Sequence, residues 1–211
     1  MKLTIFGATG RTGSRLVDQA LAAGHDVTVL ARNPSRVTLQ HERLRVLRGD
    51  VLDPVAVEKA VIGQDAVVSC IGSTTRETPV TLYSAGMRNI LRAMRANGVQ
   101  RLVCISANPL VVGDGDVLFD RLVLKPIVRA IFKAPYADLA RMEEEVRDSD
   151  LEWTILRPPR LTDRPHTGHY RTAINRNLPR GRFISRADLA DAILKRLDDP
   201  ASRHAAVSVA Y

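Results

Sequence analysis

The chain has 211 residues, 45% of them hydrophobic and 26% charged, which gives room for one full core and the composition of an α/β protein. No apolar run reaches the roughly 20 residues that span a bilayer, and the opening MKLTIFGATG enters a strand pattern at once, so neither a membrane span nor a signal peptide is expected. The net charge is +8, but aromatics make up only 4% and there is no zinc-finger spacing or basic tail, so the excess charge points to a phosphate-rich small ligand and away from nucleic acid.

Strand patterns fall at Lys2–Phe6, Asp26–Leu30, Leu44–Arg48, Asp65–Cys70 and Arg101–Ser106. Helical patterns at Thr12–Ala23, Pro54–Val61 and Val80–Ala96 alternate with them, and Met87, Ile90, Leu91 and Met94 form the core stripe of the last. Asp53, ahead of Pro54, reads as a helix cap. The stretch Asp116–Asp148 is mostly helical in pattern and interrupted by Pro126 and Pro135. A strand follows at Leu151–Leu156, then a Pro-, Gly- and Arg-rich segment without helical period. Last come a helix at Arg186–Leu197 capped by Ser185 and a strand at Ala205–Ala210. Strands alternating with helices predict a doubly wound parallel sheet of Rossmann type, residues 1–211 forming one domain whose small C-terminal region covers the substrate. Cys70 and Cys104 sit within apolar strand patterns and read as buried thiols of a reducing, cytoplasmic compartment, with no metal site expected.

The first strand runs into TIFGATGRTGSRL, which places Gly7, Gly10 and Gly13 in a G-x-x-G-x-x-G spacing. Gly7 suits the sharp turn, Gly10 a close approach of backbone to pyrophosphate, and Gly13 close packing of helix on sheet. The N–H groups around Arg11 and Thr12 would face the anion at the positive helix end, and Thr9 lies in the same loop. The second strand ends in VTVLARNPSRV, with no acid to accept from a ribose 2′-hydroxyl but with Arg32 and Arg36 to grip a 2′-phosphate, so NADP(H) is the expected cofactor. Asp50 and Val51, in RGDVLDP, fall at the adenine edge, and Ile71 and Gly72 at the crevice beyond the fourth strand.

Taken in order, TIFGATGRTGSRL, VTVLARNPSRV, GDVLDP, LVCISA and LEWTILRPPRLTDRPHTGHY resemble the atypical short-chain dehydrogenase/reductase group of NmrA-like, NAD(P)H-binding proteins. The likeness is greatest to the flavin reductase (biliverdin reductase B) branch, whose PP-x-x-x-D-x-P-x-TG-x-Y stretch matches Pro158 to Tyr170. It implies an NADPH-dependent hydride transfer to flavins or linear tetrapyrroles. It also implies that Gly7, Gly10, Thr12 and Gly13 hold pyrophosphate, Arg32 the 2′-phosphate, and Asp50 and Val51 the adenine. Ser106 would lie near nicotinamide and substrate. Arg160 stands where that branch carries a histidine.

Tyr136 is followed four residues later by Ala140, so the Tyr-x-x-x-Lys proton-transfer dyad of classical short-chain dehydrogenases is missing. Hydride transfer to a planar acceptor needs mainly orientation from the protein. Ser106 and Arg160 are the candidate catalytic residues. Ser106 read otherwise is a strand-end hydroxyl bonded to backbone. The loop Arg160–Tyr170, with Arg164, His166 and His169, is the expected wall for an anionic acceptor, or else a solvated basic loop. Arg121, Lys125, Arg129 and Lys133 recur every four residues beside apolar positions, as on an ordinary surface helix over the core or, read otherwise, an amphipathic helix for a membrane surface or a partner. The expected partner is a small planar acceptor, met by a monomer or homodimer. A non-catalytic NADP(H)-binding sensor acting through a protein partner fits the same residues.

Overall fold

A computed structural model describes residues 1–72, 81–108, 122, 125–131 and 133–211. The apolar runs form a sheet of eight strands in the order β3-β2-β1-β4-β5-β6-β10-β8. These are β1 (Lys2–Phe6), β2 (Asp26–Ala31), β3 (Leu44–Arg48), β4 (Ala66–Ser69), β5 (Arg101–Ile105), β6 (Glu152–Arg157), β10 (Ala205–Ala210) and β8 (Arg171–Ile174). All neighbours are parallel except β8, which runs antiparallel to β10 with Ser208 opposite Ala173. The order 3-2-1-4-5-6 is that of the Rossmann fold, with its switch point between β1 and β4.

Two apolar layers hold the sheet. On one face α1 (Arg11–Ala22) and α6 (Arg186–Leu197) bury Leu16, Val17, Ala20, Leu189 and Ile193. On the other, α2 (Pro54–Val61), α3 (Leu82–Ala96) and α5 (Lys133–Arg147) bury Val57, Met87, Ile90, Met94, Met142 and Val146. The stripe read from helical spacing on α3 is therefore core. The Asp53 carboxylate accepts from Val55 N–H at 3.0 Å ahead of Pro54, and Ser185 Oγ accepts from Asp188 N–H at 2.9 Å, so both expected caps are present. Cys70 and Cys104 are buried and unbridged, and burial pushes the Cys70 thiol up to about 12.

Three differences from the sequence expectation have physical reasons. The segment after Pro158, expected to be irregular, contains β7 (Arg160–Thr162), β8 and β9 (Phe183–Ser185), and β7 pairs with β9 in a separate parallel ribbon. Strands of three or four residues are too short to show a period. Pro126 and Pro135, expected as interruptions, lie in the first turns of α4 (Lys125–Ile131) and α5, where a proline is tolerated. The start of α3 is capped from another helix. Asp138 of α5, fully buried, accepts from Tyr83 N–H at 2.8 Å and from the Ser84 hydroxyl at 2.6 Å. Among the described residues no helix is long and apolar enough to cross a membrane. Arg121 of the basic stripe lies outside the described residues, as does Val80, the expected start of α3.

Candidate functional site

The loop between β1 and α1 is built so that only glycine fits two of its corners. Gly7 has φ +80°, and a Cβ there would stand 2.4 Å from the Cys70 carbonyl oxygen at the end of β4. A Cβ at Gly13 would stand 2.2 Å from the Gly7 carbonyl oxygen, so α1 starts hard against the loop. Gly10 differs: a Cβ there would meet only the Gly7 oxygen, at 3.2 Å, and otherwise faces open space. It is the N-cap of α1 and offers no side-chain cap, and the first turn carries no acid. The first N–H groups of a helix have no partner within it, so α1 presents a positive, uncapped end over this opening. Those features fit a pyrophosphate held by Gly10, Arg11, Thr12 and the neighbouring Thr9.

Around that opening the chain brings together the other expected cofactor residues. Arg32 follows β2 directly. Asn33 then caps a short 3-10 turn, Pro34–Arg36, that ends on Arg36. Both arginines are exposed, and neither has an ion-pair partner among the described residues. After β3, the Asp50 carboxylate accepts from Leu52 N–H at 3.0 Å and shapes the turn. The Val51 carbonyl accepts from Asn89 of α3 at 3.0 Å. Val51 and Ile71 meet over Gly86, where a Cβ would lie 3.1 Å from Val51 Cγ1 and 3.5 Å from Ile71 Cδ1. Gly86 was not singled out from the sequence, although an isolated glycine in a strong helical pattern is the signal for such a close approach. Gly72 beside Ile71 is exposed, with nothing within 4 Å of where a Cβ would be.

Farther along the strand ends, pairing between β5 and β6 continues past the strands. Ser106 N–H donates to the Leu156 carbonyl at 2.8 Å, and Asn108 N–H to the Pro158 carbonyl at 2.9 Å. Ser106 is thereby fixed beside the segment that leads to Arg160. Its Oγ is buried and makes no hydrogen bond of good geometry, to backbone or to side chain. Beneath lies a buried ion pair that the sequence did not reveal, since an acid on α5 and an arginine on β6 are 14 residues apart. Arg157 Nε donates to Glu143 at 2.9 Å, and its second nitrogen and Arg147 donate to the other carboxylate oxygen. Burial alone would raise the Glu143 pKa. The bonds and charge of Arg157, then the nearby Ser106 hydroxyl and the charge of Arg147, outweigh it and hold the acid below its usual range. The Ser106 hydroxyl is thus near enough for the carboxylate to feel it, though not bonded in the geometric sense.

Arg160 is exposed on β7, opposite Phe183, with no ion-pair partner among the described residues. The rest of its loop turns largely toward the protein. Thr167 N–H and Gly168 N–H each donate to Asp188 Oδ1 of α6 at 2.8 Å, and the Thr167 hydroxyl donates to Oδ2 at 2.8 Å. Tyr211 donates its hydroxyl to the same carboxylate. Tyr170 donates to Asp191 at 2.5 Å. His166 Nε2 lies 3.7 Å from both Asp188 and Asp191, and the Arg164 guanidinium lies 5.0 Å over the Phe183 ring. Burial would raise the Asp188 pKa, but the Tyr211, Thr167 and Gly168 bonds outweigh it and bring the carboxyl down to about 2. Of the motif from Pro158 to Tyr170, then, the Thr-Gly and Tyr positions anchor the loop. Asp163 joins that loop to the start of α1 through Arg11 and to α6 through Arg186 at 2.9 Å.

Comparison with known proteins bears on the same region. The NAD(P)H-binding family model matches residues 7–200. Over 206 residues the chain is 28% identical to the uncharacterized protein YwnB of Bacillus subtilis (strain 168), covering 95% of this chain and 93% of that one. A short-chain dehydrogenase/reductase of Veillonella parvula DSM 2008, in complex with NADP, superposes with a TM-score of 0.83 at 20% identity, covering 100% of this chain and 94% of that one. ChuY, an anaerobillin reductase from Escherichia coli O157:H7, superposes with a TM-score of 0.82 at 24% identity, covering 100% and 97%. At such identities these two structures speak for a shared fold.

Proposed function

This chain belongs to the NAD(P)H-binding family, and from that premise we propose that it is an NADPH-dependent reductase of small planar acceptors such as flavins, quinones or linear tetrapyrroles. The observation that carries the proposal is Ser106: a buried hydroxyl without a good partner, at the carboxyl end of β5, where ligands bind in this fold. A buried polar atom left unpaired is costly, and a group bound at the strand ends would relieve that cost. The NADP bound by the Veillonella parvula protein and the reductase activity named for ChuY agree with it.

In this scheme the nicotinamide cofactor supplies a hydride when bound. The chain's residues place the reactants. Gly10 and the uncapped end of α1 hold the pyrophosphate, and Arg32, with Arg36 beside it, takes the 2′-phosphate. Asp50 and Val51 line the adenine edge, and Ile71 and Gly72 the crevice beyond β4. Ser106 donates or accepts at the carboxamide or acceptor edge, which fixes the ring-to-ring approach. Arg160 clamps the acceptor's negative group from β7. No side chain has to deliver a proton, because solvent can, and that accords with the missing Tyr-x-x-x-Lys dyad.

The test is NADPH oxidation, followed by absorbance, with FMN, a neutral quinone and a linear tetrapyrrole as acceptors, beside direct NADPH titration. Turnover of at least one acceptor is expected. Tight NADPH binding without turnover of any would replace this proposal with an NADP(H) sensor.

A further inference from the structure

Helix α2 is only eight residues long and packs on β2 and α3 through Val57, Ala60 and Val61. Strand β3 is the outermost strand at its end of the sheet, so the face of β3 beside α2 is left open. Between them runs a groove of about 440 Å³ floored by Leu30 and Leu47. That volume is within the range of small-molecule sites, about 300–1,000 Å³. Its wall is apolar and wet: Val55 and Ile62 are 57% and 56% exposed. Beside it stand the cations Arg45, on the same face of β3 as Leu47, and Lys59 of α2, and Arg48 lines it at the end of β3. None has a hydrogen-bond or ion-pair partner among the described residues. Among the described residues that line the groove the only acid is Asp53, one of whose oxygens accepts from Val55 N–H as the α2 cap.

Cations without partners beside an apolar floor are complementary to an anion with an apolar body, which would also cover Val55 and Ile62. The same charges argue against a second copy adding its own β3 here, because arginines would oppose arginines across the new edge. We propose that the α2–β3 groove is a second binding site, separate from the nucleotide crevice, for a small amphiphilic anion: an aryl or acyl body carrying one carboxylate, sulfonate or phosphate. The proposal does not depend on the protein being a reductase.

The probe is 1-anilinonaphthalene-8-sulfonate, titrated by fluorescence against protein saturated with NADP+, which keeps the nucleotide crevice filled. One-site enhancement is expected to persist under saturation. Arg45→Glu and Lys59→Glu, both exposed positions, are each expected to weaken it roughly tenfold, with unchanged circular dichroism. Arg92→Glu, an exposed arginine on α3 away from the groove, is expected to leave it unchanged and so control for net charge. Displacement of the probe by NADP+, equal affinity in the groove variants, or the same loss in Arg92→Glu would each overturn the site. Sedimentation with vesicles of phosphatidylcholine and phosphatidylglycerol is expected to leave the protein in the supernatant. Co-sedimentation abolished by Arg45→Glu would assign the groove to a membrane surface instead and overturn the proposal.

Discussion

Gly10 and Gly13 stand three residues apart and should respond in opposite ways to a side chain. At Gly13 a methyl group would drive into the Gly7 backbone, so Gly13→Ala is expected to destabilise the fold by ~1–3 kcal/mol, as overpacking does, and to lower Tm by several degrees. At Gly10 the backbone is extended, with φ −82° and ψ 163°, and a Cβ would meet only the Gly7 oxygen, at 3.2 Å, a close contact that a shift of a few tenths of an ångström relieves. Gly10→Val should therefore melt close to wild type and yet lose NADPH binding, because the isopropyl group fills the space where the pyrophosphate approaches. Thermal melting by circular dichroism and titration of NADPH fluorescence separate the two effects; wild-type NADPH affinity in Gly10→Val would mean the loop is only a turn. Arg32 gives a second contrast. It is exposed and unpaired among the described residues, so its removal leaves no buried group stranded. Charge-assisted contacts to a 2′-phosphate are worth ~1.5–3 kcal/mol. Arg32→Ala is expected to weaken NADPH by about tenfold to a hundredfold and to spare NADH. Equal losses for both cofactors would remove the 2′-phosphate assignment.

At the scale of elements, the Thr167–Gly168 corner of the loop from β7 to β8 depends on one carboxylate. The Asp188 carboxylate, buried at the start of α6, accepts from two loop amides and from three hydroxyls, those of Thr167, Tyr211 and the capping Ser185. Its pKa is depressed in the folded protein, to about 2, against ~3.9 for an unfolded Asp. The sign follows: its contribution to stability is complete above the unfolded value and is lost as pH falls from about 4 towards 2. Acid should therefore release the loop over that window. The amides of Thr167 and Gly168 should lose hydrogen-exchange protection in it, and Asp188→Asn should show the same loss at neutral pH with α1 and β1 still protected. Protection that persists in Asp188→Asn would mean the carboxylate is incidental. The sequence indicated the Ser185 cap of this helix but not the part played by Asp188. A cap is local, three residues of chain with a known preference, whereas the partners of Asp188 come from 20 and 21 residues away. The same contrast runs through the fold. The strands β1 to β6 and β10 are apolar runs with turn residues at their ends and were legible. The short ribbons β7 and β9 owe their form to pairing with each other, and Asp138 capping α3 across 55 residues has no local trace.

For the whole molecule, charge and site must be considered together. The positions proposed for the nucleotide, Gly7, Gly13, Arg32, Asp50, Val51 and Ile71, can be nominated from sequence because a nucleotide crevice in this fold is assembled from the ends of successive strands, and each end is written in one short stretch. The Glu143–Arg157 pair under Ser106 cannot, because an acid on one element and a base on another carry no shared spacing. The net charge of +8 adds a property that no single stretch carries. A positive field raises the encounter rate and affinity of anionic ligands and is screened by salt, with a Debye length of about 10 Å at 0.1 M. FMN carries a phosphate and a quinone does not, so if the proposed reductase is correct, KM for FMN should rise with added salt while KM for the quinone changes little. Arg160 is exposed on β7 beside the Ser106 segment, so Arg160→Ala should raise KM for FMN at low salt and reduce its further rise with salt. NADPH affinity should be nearly unchanged in that variant, since Arg32 and the α1 end lie at other strand ends. Ser106→Ala should instead lower kcat for both acceptors with little salt dependence, as loss of orientation at the reacting centre does. Steady-state kinetics at two ionic strengths, on wild type and both variants, supply every comparison. An Arg160→Ala effect equal for FMN and quinone would move the acceptor's anionic group away from β7, and an unchanged kcat in Ser106→Ala would remove the buried hydroxyl from the reaction.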